Sequence, residues 1–308
     1  MLAPVATESG RFTRRRVAAL VAINASLLLL FDQAVLRIPI SRLAGNVGIM
    51  LETTDRSEPP YLRLRPGIDV EYQSPGAPDR RTRVRTNSMG YRDRERSWSR
   101  TAGLRRVVAI GDSHTFSLGV ELSDAYPTQL EGELQRSGEN VEVWNAGTPG
   151  HQMRDHVGTL RLLQKARPDV VILQLTANDA VVPYRLAPWL LSSSRHSGLA
   201  RLYMVGRLNF GADKEDFGAA NATFLAEARR GGAAVVMWSE STPEGTDARL
   251  ARNADDAGAA FVQPLRGERY PQEGDSSHLS PLGNRVVAER LAPSVRAALA
   301  RAAESGSP

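Results

Sequence analysis

The 308-residue chain is 42% apolar and 24% charged, enough for one buried core with accessory structure and unlike the composition of a disordered chain. Its net charge of +5 rests almost wholly on arginines spread along the sequence, Lys165 and Lys214 being the sole lysines, so a solvated surface explains the charge better than a nucleic acid partner. There is no cysteine, which excludes disulfides, thiol nucleophiles and thiolate metal sites.

Arg11, Arg14, Arg15 and Arg16 precede an apolar run from Val17 to Phe31, interrupted by Asn24 and Ser26 and closed by Asp32. Positive residues before a hydrophobic stretch describe a signal peptide or a retained signal anchor. The run is short against the roughly 20 residues of a full span. Asp32-Gln33-Ala34-Val35-Leu36, however, offers no small-x-small cleavage site. Residues 1–35 are therefore expected to form a cytoplasmic tail and membrane anchor, with the remainder outside the cytoplasm, periplasmic or extracellular. A cleaved leader would instead give a secreted protein.

Residues 36–103 read as a linker and small strand-rich region. Tyr61 to Tyr72 alternates in short stretches around Pro66-Gly67, and Arg81 to Thr86 repeats the alternation around Val84. No separate core is expected there.

Residues 104–302 are regular, and 303–308 form a tail. Apolar, β-prone runs at Val107–Ile110, Val141–Trp144, Val170–Leu175, Ala234–Trp238 and Phe261–Val262 alternate with helical stretches. One helix is predicted over Asp124–Ser137, capped by Ser123 or Asp124, a second near Met153–Ala166, and a last over Pro281–Ala302. Short, uniformly apolar strands between helices imply an α/β domain with a central parallel sheet of about five strands covered on both faces. In such a sheet the site lies at the carboxyl ends of the strands. Those ends deliver Gly111-Asp112-Ser113-His114, Asn145-Ala146-Gly147 and Thr176-Ala177-Asn178-Asp179, and Asp275-Ser276-Ser277-His278 precedes the last helix.

A serine hydroxyl needs a base to take its proton, histidine is the suitable base near neutral pH, and a carboxylate must hold the histidine in one tautomer. Asp275, three residues before His278, can do so across one turn. Each residue also has an ordinary structural explanation: Ser113 or Asp275 as a helix cap, Gly147 and Asn178 as turn residues, His278 as surface. Four such coincidences at one sheet edge are improbable.

These blocks resemble the SGNH (GDSL-like) hydrolase superfamily, membrane-anchored bacterial type. Ser113 matches the first block, Gly147 the second, Asn178 the third, and Asp275 with His278 the last. Arg85 to Asp93 is similar to a segment that precedes the serine block in membrane-anchored members. Thr176 departs from the pattern, standing where the third block carries glycine. The resemblance implies a three-layer flavodoxin-like fold, a Ser113–His278–Asp275 triad, and an oxyanion hole made of the Ser113 and Gly147 backbone N–H groups and the Asn178 amide. No histidine–carboxylate set has the spacing of a zinc site and there is no phosphate-cradling glycine loop, so no cofactor is expected. The expected substrate is an acyl or acetyl ester, on a carbohydrate or a lipid. An O-acyltransferase serving an envelope polysaccharide and a silent carbohydrate-binding module are the alternatives. His114 is expected to contact substrate at most, His151 and His156 to be surface or capping residues, and residues 180–210 to cap the site or face a membrane.

Overall fold

The computed structural model describes residues 13–43, 45–56, 58–74, 77–176, 179, 181–182, 193–210, 213–214, 217–240 and 246–305. Helix α1 (Arg14–Leu36) starts at Thr13, whose hydroxyl accepts from the Arg16 N–H, and is exposed along most of its length, with Val35 its one buried side chain. It is longer than the apolar run. Its 23 residues, at 1.5 Å each, reach about 35 Å, enough to cross a bilayer by length and composition. Asp32 does not end it, because this carboxylate is used by a later helix.

Two short helical turns, α2 (Ile40–Leu43) and α3 (Gly45–Gly48), lead into two antiparallel pairs. These are β1 (Leu51–Thr53) with β2 (Leu62–Leu64), and β3 (Asp69–Ser74) with β4 (Ala77–Arg85). Alternation along β2 and β3 turns Leu62, Leu64 and Tyr72 inward. There they join Ile40, Met50, Tyr61 and Val84 in a small cluster closed by Phe116, Leu118 and Met204. The region thus packs on the segment that follows Ser113.

The strands of the central sheet are β5 (Arg105–Gly111), β6 (Val141–Gly147), β7 (Val170–Leu175), β10 (Ala234–Ser239) and β11 (Ala260–Val262). All pair in parallel, in the order β11-β10-β7-β5-β6. This is the doubly wound 2-1-3-4-5 arrangement of flavodoxin-like folds. Between β7 and β10, β8 (Val181–Val182) pairs antiparallel with β9 (Asp213–Lys214). One face is covered by α6 (Met153–Leu163), α8 (Phe217–Arg230) and α9 (Thr246–Asp256), with Val108, Ile110, Trp144, Leu173 and Met237 in its core. The other is covered by α5 (Tyr126–Arg136) and α10 (Pro281–Ser305), over Val107, Ala109, Ile172 and Trp238. The remaining elements are α4 (Ser113–Phe116), α7 (Gly198–Phe210) and the hairpin β12 (Pro271–Gln272) with β13 (Asp275–Leu279).

Two local expectations change. Helix α5 begins at Tyr126, after a 3₁₀ turn over Leu122–Asp124, and neither Ser123 nor Asp124 caps it. The Tyr126 N–H donates instead to Asn284 Oδ1, 3.1 Å away on α10. Residues 87–98 also belong with the sheet rather than with a linker. Arg96 is buried and donates to Asp93, Glu131 and the Val143 carbonyl, while Met89, Tyr91 and Trp98 pack on the core.

Candidate active site

Ser113 is the first residue of α4, directly after β5. Asp112 caps this short helix, its carboxylate accepting from the His114 N–H at 2.9 Å. A first helical residue has no intrahelical acceptor for its N–H, so that of Ser113 is available to a ligand. The tight exit from β5 needs glycine at 111, because a Cβ there would lie 2.2 Å from Thr115 Oγ1 and 2.3 Å from Gln174 Oε1. Gln174 Oε1 accepts from the Asp112 N–H and the Thr115 hydroxyl, fixing the loop.

His278 Nε2 lies 2.9 Å from Ser113 Oγ, and His278 Nδ1 lies 2.7 Å from Asp275 Oδ2. Residues 275–279 form a hairpin strand rather than a helical turn, yet the three-residue offset still brings carboxylate and imidazole together. Asp275 Oδ1 accepts from the Ser277 N–H and hydroxyl at 2.9 and 2.6 Å. Partial burial pushes the Asp275 pKa up, but these bonds and His278 outweigh it and hold the carboxyl at about 2.

The hairpin is tied to the serine loop by two amides that sequence reasoning missed. Buried Gln272 donates through Nε2 to the Leu118 and Leu279 carbonyls at 2.6 and 2.9 Å. Asn284 Oδ1 accepts from the Ser117 hydroxyl at 2.8 Å, and its Nδ2 donates to the Leu279 and Ser280 carbonyls. Arg92 is also buried. It donates to the Phe116 and Ser117 carbonyls at 2.9 and 2.7 Å and to the Val120 carbonyl at 2.5 Å. It thereby satisfies carbonyls that the end of α4 leaves open. The only sequence signal for Arg92 is its place in the segment before the serine block.

Gly147 sits beside α4, where a Cβ would meet the Phe116 nitrogen at 2.1 Å and the Thr115 carbonyl carbon at 2.5 Å. Its N–H, expected to face substrate, donates instead to Asn145 Oδ1 at 3.0 Å. The glycine lets the helix carrying Ser113 close onto β6. Asn178 lies outside the described residues. Thr176, which departs from the glycine pattern, uses its hydroxyl to bond Asp112 Oδ2 at 3.0 Å, while its N–H donates to Asp179 Oδ2 at 2.7 Å.

The other histidines are redistributed. His156 and His151 are buried, not superficial. His156 Nε2 lies 2.9 Å from Asp179 Oδ1, and His151 Nε2 lies 2.9 Å from the Leu62 carbonyl. Burial pushes Asp179 up, while the Asp179 and Asp112 charges push His156 up against its own burial. His196 is exposed, with Nε2 accepting from Arg195. His114 stacks on His278 with ring centroids 5.2 Å apart and pairs with Glu240. Burial opposes its protonation, but Glu240 and Asp112 outweigh that and raise its pKa to about 9. A cleft of about 450 Å³ opens beside His278, lined by His114, Glu240, Glu268, Arg269, Tyr270 and Ser276 among others.

The sheet is doubly wound, and beside the exit of β5 the Ser113, His278 and Asp275 side chains stand in hydrogen-bonding sequence. Residues 109–286 match the model of the GDSL-like lipase/acylhydrolase family, and the chain belongs to that family. Comparison with curated protein sequences finds no match. Among solved structures, TesA is 19% identical, covering 63% of this chain and 99% of its own, with a TM-score of 0.47. The esterase EstA from Pseudoalteromonas sp., inhibited by monoethylphosphonate, is 13% identical over 64% of this chain and 99% of its own, with a TM-score of 0.47. AlinE4, described as an SGNH-hydrolase family esterase, is 20% identical over 65% and 99%, with a TM-score of 0.41.

Proposed function

We propose that this protein is a serine esterase that cleaves acetyl esters of carbohydrate through an acyl-serine intermediate. The observation that carries the reading is the unbroken line Ser113 Oγ, His278 Nε2, His278 Nδ1, Asp275 Oδ2, with spacings of 2.9 and 2.7 Å. His278 takes the hydroxyl proton as Ser113 attacks the ester carbonyl, and returns it to the departing alcohol; Asp275, held ionised, keeps the imidazole oriented and balances its transient charge. Water then attacks the acyl-serine with the same help from His278. The negative oxygen is received by the Ser113 N–H at the start of α4 and by the Asn178 amide. Gly147 serves this arrangement by the close approach of α4 to β6.

The sugar assignment draws on the cleft, whose acids, arginine, tyrosine and serine suit a hydroxyl-rich alcohol. The assignment of α1 as an anchor draws on its length, its exposure and the arginines of its first turn, and puts the catalytic domain outside the cytoplasm. The test is acetate release from an acetylated oligosaccharide, expected for the wild type and abolished in Ser113→Ala. Absence of release by wild type would sink the proposal, and release that requires an added sugar acceptor would make the protein a transferase.

A further inference from the structure

The junction between α1 and the catalytic domain is built rather than flexible. Asp32 Oδ1 accepts from the Ser197 hydroxyl and from the Leu199 N–H, both at 2.8 Å, and so caps the start of α7 from a different helix. Gln33 Nε2 donates to the His196 carbonyl at 3.1 Å, and Arg201 Nη1 donates to the Leu36 and Ile38 carbonyls at 2.7 and 3.2 Å. The two backbones touch at Gly198, where a Cβ would stand 2.2 Å from the Asp32 carbonyl oxygen and 2.3 Å from the Leu36 nitrogen.

The surface of α7 beside this junction is unusual for the molecule. Among the described residues, the large apolar side chains exposed outside α1 are Leu199, Leu202 and Leu282. Two of the three lie on α7, three residues apart and therefore on one face. Single exposed leucines are ordinary, whereas a pair on one face of a helix packed against an exposed apolar helix marks a place of contact. Exposed Arg37 follows directly on α1, exposed Arg42 lies on α2, and exposed Arg195 precedes α7. Arginines at such a boundary complement anionic headgroups.

We propose that α7 rests on the bilayer that α1 enters, with Leu199 and Leu202 in the interfacial layer and Arg37, Arg42 and Arg195 at headgroup level. This rests on the reading of α1 as a membrane anchor. The domain is then held in one orientation over the lipid surface instead of swinging on a tether.

The absence of native cysteine makes a direct test available. Leu28→Cys, Leu202→Cys and Glu289→Cys are made in the full chain, labelled with bimane and reconstituted into phosphatidylcholine–phosphatidylglycerol vesicles containing nitroxide-labelled lipid. Hydrolysis of a small acetate ester checks that each variant is folded. The expected result is loss of bimane emission at positions 28 and 202 and retention at 289, which lies exposed on α10. Loss at 28 without loss at 202 overturns the docking of α7 and leaves the anchor standing. Retention at both 28 and 202 removes the anchor itself and the proposal with it, even if the esterase activity is intact. Equal loss at all three positions also overturns it, because the contact would not belong to α7.

Discussion

A serine hydroxyl in water is a poor nucleophile, and what distinguishes Ser113 is the His278 imidazole 2.9 Å away and the helix start that frees its own N–H. Ser113→Ala or His278→Ala is expected to lower kcat by on the order of 10⁶, and Asp275→Asn by about 10⁴, in steady-state ester hydrolysis. These three residues are readable in the sequence because the last two are separated by three positions and the first follows an apolar strand. Gln272, Asn284 and Arg92 are not. Their partners lie far away in sequence, 154 residues for Gln272 and Leu118 and 167 for Asn284 and Ser117, and nothing local marks them. Glu240 is hidden for the same reason. It matters for pH dependence: the His114 pKa is raised from 6.5 to about 9, so its stabilising contribution is complete below 6.5 and is lost as pH rises through about 9. The melting temperature is expected to fall between about pH 7 and about pH 10, and Glu240→Gln should flatten that fall.

Among the elements, the parallel strands are the most legible, since a strand buried on both faces is a continuous apolar run. The start of α5 is not. Ser123 and Asp124 suit a cap by type, but the donor at Tyr126 is met by Asn284 from another helix. The approach of α4 to β6 is equally invisible, although Gly147 itself stands out in the sequence. Gly147→Ala is expected to push α4 away from its seat, costing about 1–3 kcal/mol in stability. A displacement of this kind should also lower kcat by about 10². Chemical denaturation and ester hydrolysis of the same preparation measure both. Retained activity would show that α4 can shift without moving Ser113 Oγ. Arg92→Met leaves the carbonyls of Phe116, Ser117 and Val120 without their buried donor. A loss of about 3 kcal/mol or more in urea unfolding is expected.

The chain is less modular than its composition implies. Residues 36–103 differ in character from residues 104–302, which suggests a separate linker region. In the fold, Tyr61, Leu64 and Tyr72 share a cluster with Phe116 and Leu118, close in sequence to Ser113, and the Arg96 side chain is buried against Glu131 and Glu142 from residues 104–302. Sequence alternation reports which side of a strand is buried but not what buries it, so this dependence has no local signature. At the other end, α1 is held to α7 through Asp32, a residue that reads in sequence only as the end of an apolar run. The central claim is that Ser113 is the nucleophile and that His278 activates it. The direct measurement is mass spectrometry of the protein after reaction with a fluorophosphonate ester. A single adduct on the Ser113 peptide, formed far more slowly in His278→Ala, is the predicted result. No adduct, an adduct on another residue, or equal rates in the two proteins would contradict it.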